Sequence, residues 1–208
     1  MNSHYFTDNE NIKTDPHRII YYFGANRYVF NTDAGVFSPK KVDSATDFLL
    51  KNIPPISGSL LDMGCGYGCL GIVLAKEHGL KLSQADINPR AVRLTKENAD
   101  INAVVSDVFL SDGFADINKT FDNIAVNPPI HAGKKVVYDM YEKSFLHLNP
   151  GGSLFVVIFK KHGAESSREK LTEIFGNADV LHKKKGMYLM EMKKSCAAVS
   201  GSEAVAED

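Results

Sequence analysis

The stretch Gly58-Ser59-Leu60-Leu61-Asp62-Met63-Gly64-Cys65-Gly66-Tyr67-Gly68 decides the fold of this 208-residue chain. Its first five residues form a short apolar run that predicts a strand, and the alternate glycines that follow predict a tight turn. Leu70 to His78 then has helical spacing, and Gly79 is placed to end that helix. A strand that enters a glycine turn and a helix is typical of the first unit of an α/β sheet.

The same alternation continues toward the C-terminus. Further strands are predicted at 80–86, 103–106, 121–127 and 153–159, and further helices at 89–99, 136–147 and 166–175. Asn88 is the expected N-cap of the helix that begins at Pro89. Two last strands, at 179–184 and 188–192, are joined by a turn at Gly186. We therefore predict a seven-stranded, mostly parallel sheet with helices on both faces and an antiparallel C-terminal hairpin.

A different pattern precedes this unit. Arg18–Phe23 and Arg27–Phe30 flank residues 24–26, which predicts an N-terminal β-hairpin with a three-residue loop. A helix is predicted at Asp43–Lys51. The aromatic side chains of the hairpin either stack on RNA or pack on the main sheet, and strand alternation favours packing. We expect a mobile N-terminus at 1–15, a hairpin and helix appendage at 16–55, an α/β domain at 56–194 and a disordered tail at 195–208.

The composition is that of an ordinary soluble protein, with 44% hydrophobic and 24% charged residues. The sequence has no apolar stretch of membrane-spanning length and does not begin like a signal peptide, so cytoplasmic residence is expected. Three cysteines without a His/Cys cluster predict neither a disulfide framework nor a metal site. Cys65 and Cys69 are expected to be small packing residues.

Basic residues are concentrated in the C-terminal half, although the net charge is only -1. From Lys134 to Lys194 there are 12 Lys and Arg against 7 Asp and Glu, with lysine runs at 134–135, 160–161, 183–185 and 193–194. Such runs either form solvated faces or contact a polyanion. The sequence leaves both interpretations open.

Polar features follow four successive predicted strands. The glycine turn follows the first, Asp86 ends the second, Asp107 ends the predicted third, and Asn127-Pro128-Pro129-Ile130 ends the fourth. The carboxyl ends of parallel strands share one edge of the sheet, and open α/β sheets bind ligands there. We therefore expect these residues to form one site.

The first three features are suited to a nucleotide-like cofactor. Glycines bring backbone amides close to a ligand, although they also serve plain turns. The dinucleotide pattern would require glycine where Cys69 stands, which weakens a nicotinamide interpretation. Asp86 is placed to accept the two hydroxyls of a ribose, or to compensate the N-terminus of the Pro89 helix. Asp107 can accept an adenine amine or cap a loop.

The fourth feature is suited to a planar amine. Two consecutive prolines end a strand because neither donates a ladder hydrogen bond. The side-chain amide of Asn127 and the carbonyl of Pro128 are then free for a ligand. An acceptor pair opposite a nucleotide-like cofactor indicates group transfer to nitrogen.

With these motifs, the chain from about Gly58 to Met192 resembles a Rossmann-like class I S-adenosylmethionine-dependent methyltransferase, which makes 56–194 its methyltransferase domain. Asn127-Pro128-Pro129-Ile130 is similar to the Asn/Asp-Pro-Pro-x signature of enzymes that methylate planar nitrogens. With Thr32–Ser38 and Asn127–Lys135 included, the chain is similar to the single-domain form of the small-subunit (16S) ribosomal RNA guanine-N2 methyltransferase family. The alternatives are methylation of a glutamine amide or of adenine N6, and a non-catalytic RNA-binding module.

The resemblance implies S-adenosylmethionine as cofactor, ribosomal RNA or a ribosomal subunit as partner, and no metal. The cofactor would contact Asp62, Gly64, Cys65, Gly66, Asp86, Ile87, Asp107, Val108 and Asn127, and Phe37 would cover the cofactor or the base. The acceptor side would consist of Asn127, Pro128, Pro129 and Ile130. Many relatives have an aromatic residue at the position of Ile130 to stack on the base, so Phe37 or a residue near His131 would have to replace it. His131 itself either acts directly or lies on the surface.

Overall fold

The computed structural model describes residues 12–196, so the predictions for 1–11 and 197–208 lie outside the described residues. In chain order the elements are β1 (His17–Phe23), β2 (Asn26–Thr32), α1 (Ser44–Asn52), β3 (Ser59–Met63), α2 (Cys69–His78), β4 (Lys81–Asp86), α3 (Pro89–Ile101), β5 (Ser106–Leu110), β6 (Phe121–Val126), α4 (Lys134–His147), β7 (Leu148–Phe159), α5 (Ala164–Phe175), β8 (Asp179–Lys184) and β9 (Met187–Lys193).

The main sheet has seven strands in the order β5-β4-β3-β6-β7-β9-β8. Strands β3 to β7 are parallel to one another, and β9 is antiparallel to both β7 and β8. This confirms the predicted fold class, including the separate two-stranded N-terminal hairpin. The chain runs outward from β3 to β5 and then returns to the other side of β3 as β6. The crevice between β3 and β6 is therefore the switch point at which open α/β sheets bind ligands.

The central strand β3 is buried on both faces. Leu60 and Leu61 are both fully buried and belong to different hydrophobic clusters on opposite sides of the sheet. Successive side chains of a strand point to opposite faces, and a parallel sheet with helices on both sides has to be apolar on both. The apolar run that opened the sequence is thus the centre of the molecule.

The caps of two helices match the prediction. Gly79 ends α2 in the left-handed conformation (φ 68°), and its N–H donates to the carbonyl of Ala75. The side chain of Asn88 accepts from Arg90 N at the start of α3, where Pro89 is the first helical residue. Gly79 thus leads the chain into the amino end of β4, and Asn88 begins the next helix at the carboxyl edge of the sheet.

The N-terminal hairpin packs on the same core as the sheet, and its loop is shorter than predicted. Phe23 pairs with Asn26, so the loop has two residues instead of three. Tyr28 and Phe30 are fully buried, as strand alternation predicts, while Tyr22 on the opposite face is 68% exposed. The ring of Phe30 lies 5.8 Å from that of Tyr67 in the glycine turn. The hairpin therefore packs beside the glycine turn, whereas the sequence had indicated only that it precedes the α/β unit.

Two asparagines at the C-terminal end of α3, Asn98 within the helix and its C-cap Asn102, hold the hairpin through the hydrogen bonds that a neighbouring strand would make. Asn102 Oδ1 accepts from Val29 N (3.0 Å), and its Nδ2 donates to Val29 O (2.8 Å). Asn98 makes the same pair of bonds with the backbone of Asn31, at 2.7 and 2.9 Å. Both side chains are buried, so the edge of β2 finds partners that water cannot supply there.

Strands β5 and β7 begin elsewhere than predicted. Helix α3 continues to Ile101, and Ala103 then turns with a φ of 55°, so β5 begins at Ser106 instead of ending there. Strand β7 begins at Leu148, which pairs with Phe121, and residues 149–152 lie in the register shift before Ser153 instead of forming a free turn. The shift in β5 changes the predicted site.

In the part of the chain that the structure describes, no helix is long and apolar enough to cross a membrane. Residues 12–196 also contain no group of three or more His, Cys, Asp or Glu side chains that could hold a metal ion.

Candidate active site

The glycine turn opens a space above the end of β3. Gly64 N and Cys65 N both donate to the carbonyl of Ala85, at 2.8 and 3.0 Å, which ties the turn to β4. Gly64 and Gly66 have φ of 73° and 58°, the left-handed region that favours glycine. A Cβ built on either of them would meet no atom within 4 Å. The turn therefore leaves room for a ligand to approach the backbone closely.

Asp86 lies directly beside this turn. Its Oδ2 accepts from Gly66 N (2.8 Å) and its Oδ1 from Asn88 N (2.9 Å). Burial raises the pKa of the carboxyl group, while the N–H groups of Asn88, Gly66 and Ile87 act in the opposite direction. Each oxygen is held by one N–H and keeps a lone pair, so the carboxylate can accept two further hydroxyl groups.

Asp62 lies beneath the turn and joins three elements. It is 1% exposed, and its Oδ2 accepts from Gly71 N in α2 (2.9 Å) and from Gln84 Nε2 in β4 (3.2 Å). Burial raises the pKa of Asp62 to about 7, although the bonds from Gly71 and Gln84 lower it, and the nearby charge of Asp86 adds to the rise. Within residues 12–196, the hydrogen bonds of the Asp62 side chain are thus made to protein groups.

The two cysteines of the turn are buried and free. Cys65 Sγ lies 3.5 Å from Thr95 Oγ1, and burial raises the thiol pKa of Cys65 and of Cys69 well above its ordinary value. Both thiols therefore stay neutral near pH 7, as expected for packing residues.

The prediction that Asp107 ends a strand at the site is wrong. Asp107 is the second residue of β5, opposite Ser83, and its largely exposed side chain pairs with Lys119 at 2.7 Å. Val108, opposite Gln84, is likewise inside the strand. The sequence placed this strand too early because the length of α3 could not be read from its pattern.

Ser111 and Asp112 are the residues that follow β5 at the carboxyl edge. Ser111 N donates to the carbonyl of Asp86 at 3.0 Å, which places Asp112 two residues beyond the strand and next to the Asp86 segment. Asp112 is exposed, whereas Ser111 is 3% exposed and bonds the turn through its hydroxyl to Gly113 O. The turn sequence Ser-Asp-Gly at 111–113 was the signal that sequence analysis missed.

Phe37 belongs to a loop that is tied to the Asp86 segment. Asn88 Nδ2 donates to Gly35 O (2.8 Å), and the guanidinium of Arg90 bonds to Ala34 O and lies 3.6 Å from Asp33. Phe37 itself is 61% exposed. The loop backbone is therefore anchored beside the turn, while the aromatic ring remains free of the core.

Asn127 is held by a residue that sequence analysis recognised only as a helix start. Its Nδ2 donates to Asp43 Oδ2 (3.2 Å) and to Thr46 Oγ1 (3.3 Å). The same Asp43 oxygen caps α1 by accepting from Ala45 N and Thr46 N. A carboxylate can only accept, so it selects the amide orientation in which Asn127 Oδ1 points away from Asp43.

The residues after Asn127 form a short 3₁₀ turn. Pro128 is buried, Pro129 O accepts from Ala132 N (3.0 Å), and the carbonyl of Pro128 accepts no hydrogen bond within residues 12–196. Ile130 packs partly against the core cluster on its side of the sheet, and His131 is exposed. Two oxygens, on Asn127 and Pro128, are thus left without a partner at the switch point.

Comparisons with known proteins agree with this architecture. The family described as "Methyltransferase small domain" matches residues 27–191. An uncharacterised protein of Bacillus subtilis, YbxB, is 40% identical over 93% of this chain and 100% of its own length. Ribosomal RNA small subunit methyltransferase C of Aeromonas hydrophila is 43% identical over 59% of this chain. The solved structure of the T. thermophilus 16S rRNA N2 methyltransferase RsmC, in complex with AdoMet and guanosine, has a TM-score of 0.72 and 26% identity over 88% of this chain.

The two ribosomal RNA methyltransferases are longer than the matched region. The chain spans 37% of the Aeromonas protein and 50% of the RsmC structure, but all of YbxB. Since the family match extends from the second hairpin strand to the last strand of the sheet, this chain belongs to the methyltransferase small domain family of class I, S-adenosylmethionine-dependent methyltransferases.

Proposed function

We propose that this chain methylates the exocyclic N2 amine of a guanine in RNA, with small-subunit ribosomal RNA as the substrate. The observation that supports this most directly is the pair of unpartnered oxygens on Asn127 and Pro128, with the Asn127 amide oriented by Asp43. The names of the ribosomal RNA relatives supply the RNA and the guanine. The sequence identity of these relatives to this chain supports methyl transfer more strongly than it supports guanine as the nucleotide that is methylated.

The residues around the glycine turn fit S-adenosylmethionine, which supplies a methyl group on a sulfonium sulfur when bound. The open space at Gly64 and Gly66 admits the amino acid part, and Asp86 accepts the ribose hydroxyls. We assign the adenine amine to Asp112 instead of Asp107, because Asp112 follows β5 at the carboxyl edge. Cys65 and Ile87 would line the same space.

On the acceptor side, the protein has to present a poor nucleophile. The lone pair of a guanine amine is delocalised into the ring, so it attacks only when the amine is pulled toward tetrahedral geometry. Asn127 Oδ1 and the Pro128 carbonyl accept the two amine hydrogens and so direct the lone pair at the methyl carbon. The transferred methyl group would come from the sulfonium of bound S-adenosylmethionine, and the methylated amine would release its extra proton to water. Orientation and electrostatic fit would provide most of the rate.

The stacking partner of the base is assigned to the loop residue Phe37. Ile130 packs partly on the core, so only part of its side chain is available to a base. Phe37 is largely exposed on a loop anchored at Asn88. A base must leave its stack to reach Asn127, and unpaired RNA makes this less costly.

Two measurements test the proposal. Saturating S-adenosylhomocysteine should raise the melting temperature of the protein, and an unchanged temperature would exclude the enzyme and favour a non-catalytic RNA-binding module. Small ribosomal subunits, deproteinised ribosomal RNA and ribosomal proteins should then be incubated with labelled methyl donor. We expect the label in N2-methylguanosine; label in glutamine or in N6-methyladenosine would assign the same acceptor pair to another planar nitrogen.

Asn127→Ala should separate the two halves of the site. Without the side-chain amide, one of the two acceptors is lost, so we expect kcat to fall by roughly 100-fold or more, the loss seen when one oriented hydrogen-bonding group is removed. Binding of S-adenosylhomocysteine, measured by calorimetry, should stay within a few-fold of wild type. Unchanged turnover would reject the acceptor role of Asn127.

A further inference from the structure

We propose that one half of the carboxyl edge of the sheet is a docking surface for RNA phosphates, separate from the methyl-transfer site. This surface, called the basic edge below, consists of residues 131–135 after β6, 160–163 after β7 and 182–186 at the β8–β9 turn. The inference rests on the proposed function in taking RNA as the polyanion. It adds where the RNA backbone lies relative to Asn127.

The sheet topology brings these three segments together. Strands β6 and β7 are parallel and neighbouring, so both end at the carboxyl edge. Strand β9 runs antiparallel to β7, with Met187 opposite Phe159, so the β8–β9 turn lies at that same edge. Lys160 N donates to Gly186 O at 2.7 Å, which joins the second and third segments directly. The basic edge therefore extends from the Asn-Pro-Pro turn to the outer strands.

The charge of the basic edge is of one sign. Its three segments contain seven lysines, three histidines and no acidic residue, and all seven lysines are exposed. The other half of the carboxyl edge, after β3, β4 and β5, has Asp86 beside the glycine turn and Asp112 next to the Asp86 segment, and Arg90 at the start of α3 lies 3.6 Å from Asp33. Asn127 stands at the boundary. A cationic cofactor on one side and a polyanion on the other match this division.

Within residues 12–196, none of the seven lysines of the basic edge forms an ion pair with Asp or Glu; scattered lysines such as Lys81 and Lys96 also have none, so the basic edge is set apart by having seven such lysines on one surface. Elsewhere in residues 12–196, five lysines form ion pairs with Asp or Glu: Lys51, Lys119, Lys143, Lys170 and Lys193. A set of like charges without compensation costs free energy in the folded protein, and a bound polyanion would remove that cost.

The position of Lys134 and Lys135 strengthens this point. They lie in the first turn of α4, and that turn contains no acidic residue. Cations at the N-terminus of a helix interact unfavourably with the helix dipole. Nothing in the packing of α4 requires them, because both are exposed. A phosphate at this point would interact favourably with the helix terminus and with the lysines together.

The lysine run at 193–194 lies at the opposite edge of the sheet. Lys193 is paired with Ser153, the first residue of β7 that pairs with β9, and Lys194 Nζ donates to Leu148 O. Of the four lysine runs in the sequence, three thus form one surface next to the site. The fourth lies at the other edge and contributes to the folded structure through β9 pairing and the Lys194 hydrogen bond. The topology selects among runs that look alike in the sequence.

The test compares two triple variants of the full chain. Lys135→Ala/Lys160→Ala/Lys184→Ala removes one exposed lysine from each segment of the basic edge, and none of these three side chains has a recorded hydrogen bond. Lys81→Ala/Lys96→Ala/Lys193→Ala removes the same charge from exposed positions outside it. The probe is a fluorescein-labelled single-stranded RNA of about 20 nucleotides, whose binding is measured by anisotropy over a range of salt concentrations.

We expect the variant of the basic edge to bind RNA about 10- to 50-fold more weakly near 0.15 M salt, with a salt slope lower by about 2, because each phosphate contact to a single strand contributes about 0.7. The control variant should stay within about twofold of wild type, since non-contacting charges are screened over a Debye length. Both variants should bind S-adenosylhomocysteine as wild type does, which shows that the fold and the cofactor site are intact.

The outcomes separate this inference from the proposed function. If the variant of the basic edge binds RNA with the affinity and salt slope of the control variant, the docking surface is wrong, even where all three proteins methylate guanine. If wild type transfers label only to protein or adenine, the guanine assignment fails. The RNA affinity and salt slope of the two variants then still decide for or against the basic edge.

Discussion

One carboxylate oxygen of Asp43 accepts hydrogen bonds that serve two different roles. It caps α1 through the N–H groups of Ala45 and Thr46, and it holds the amide of Asn127 from 3.2 Å. The cap is a common role for Asp, although the sequence placed Asp43 only at the start of the helix. The contact with Asn127 joins residues 84 positions apart, so it became visible only when β6 and α1 were placed together.

Asp43→Ser should separate these functions. Serine caps a helix about as well as aspartate but is too short to reach Asn127, so we expect stability within about 0.5 kcal/mol of wild type. With the Asn127 amide free to rotate, kcat should fall by about 10- to 100-fold while cofactor binding is kept. Asp43→Asn, which retains both the cap and an oxygen of full reach, should recover most of the activity. A serine variant with wild-type kcat would contradict the positioning role.

Asp62 makes the stability of the protein depend on pH. Because burial raises its folded pKa to about 7 and the unfolded value is about 3.9, the folded state binds this proton more tightly. The contribution of Asp62 to stability is therefore present below about pH 4 and is lost as the pH rises toward 7. From about pH 5 to pH 8, the free energy of unfolding of Asp62→Asn should rise by about 2–3 kcal/mol relative to wild type, as urea titrations would show. A constant difference would mean that Asp62 ionises normally.

At the scale of elements, the approach of α2 to the sheet depends on Gly71. A Cβ there would lie 2.8 Å from Gln84 Nε2 and 2.9 Å from both Asp62 Cβ and Leu82 Cδ1. The sequence did not single out this glycine, because a helical glycine shows its reason only in the neighbouring strands. The close approach lets Gly71 N donate to Asp62 under the glycine turn.

Gly71→Ala should therefore destabilise the protein, although alanine is the better helix former by about 1 kcal/mol. Overpacking costs about 1–3 kcal/mol, and we expect a net loss of about 1–2 kcal/mol in chemical denaturation. The affinity for S-adenosylhomocysteine should fall as well, because the turn rests on the same contact. A variant more stable than wild type would show that α2 can move away from the sheet without a loss of folding free energy.

At the scale of the molecule, the hairpin and the α/β sheet share one buried cluster. Ile19, Tyr28 and Phe30 pack with residues of α2 and α3, and the amides of Asn98 and Asn102 extend the edge of β2. We propose that residues 16–194 unfold as one unit, in place of a domain with a separate appendage. The hairpin would then stabilise the glycine turn through Tyr67.

Asn102→Ala tests this coupling. The change leaves the partly buried N–H and C=O of Val29 without their Asn102 partners, which should cost about 1–3 kcal/mol in the unfolding of the whole protein. Asn26→Ala removes an exposed hydrogen bond to Glu77 in the same hairpin and should cost less than about 1 kcal/mol. Far-ultraviolet and near-ultraviolet circular dichroism should report one midpoint for each variant. A separate early transition in the tyrosine signal would show that the hairpin unfolds by itself.

The sequence by itself determined the order of strands and helices, the caps at Gly79 and Asn88, and the Asn-Pro-Pro turn, because each depends on periodicity or on the backbone preferences of a few adjacent residues. Asp86 could also be placed, because Gly79 and the Asn88-Pro89 helix start bound its short strand on both sides. Only the tertiary structure decided that Asp112 replaces Asp107 at the edge, that Asp43 orients Asn127, and that three of the four lysine runs lie on one surface. The first depended on where a helix ends, which local preference fixes weakly. The other two depended on contacts between residues distant in sequence, which exist only once the sheet has brought its strands together.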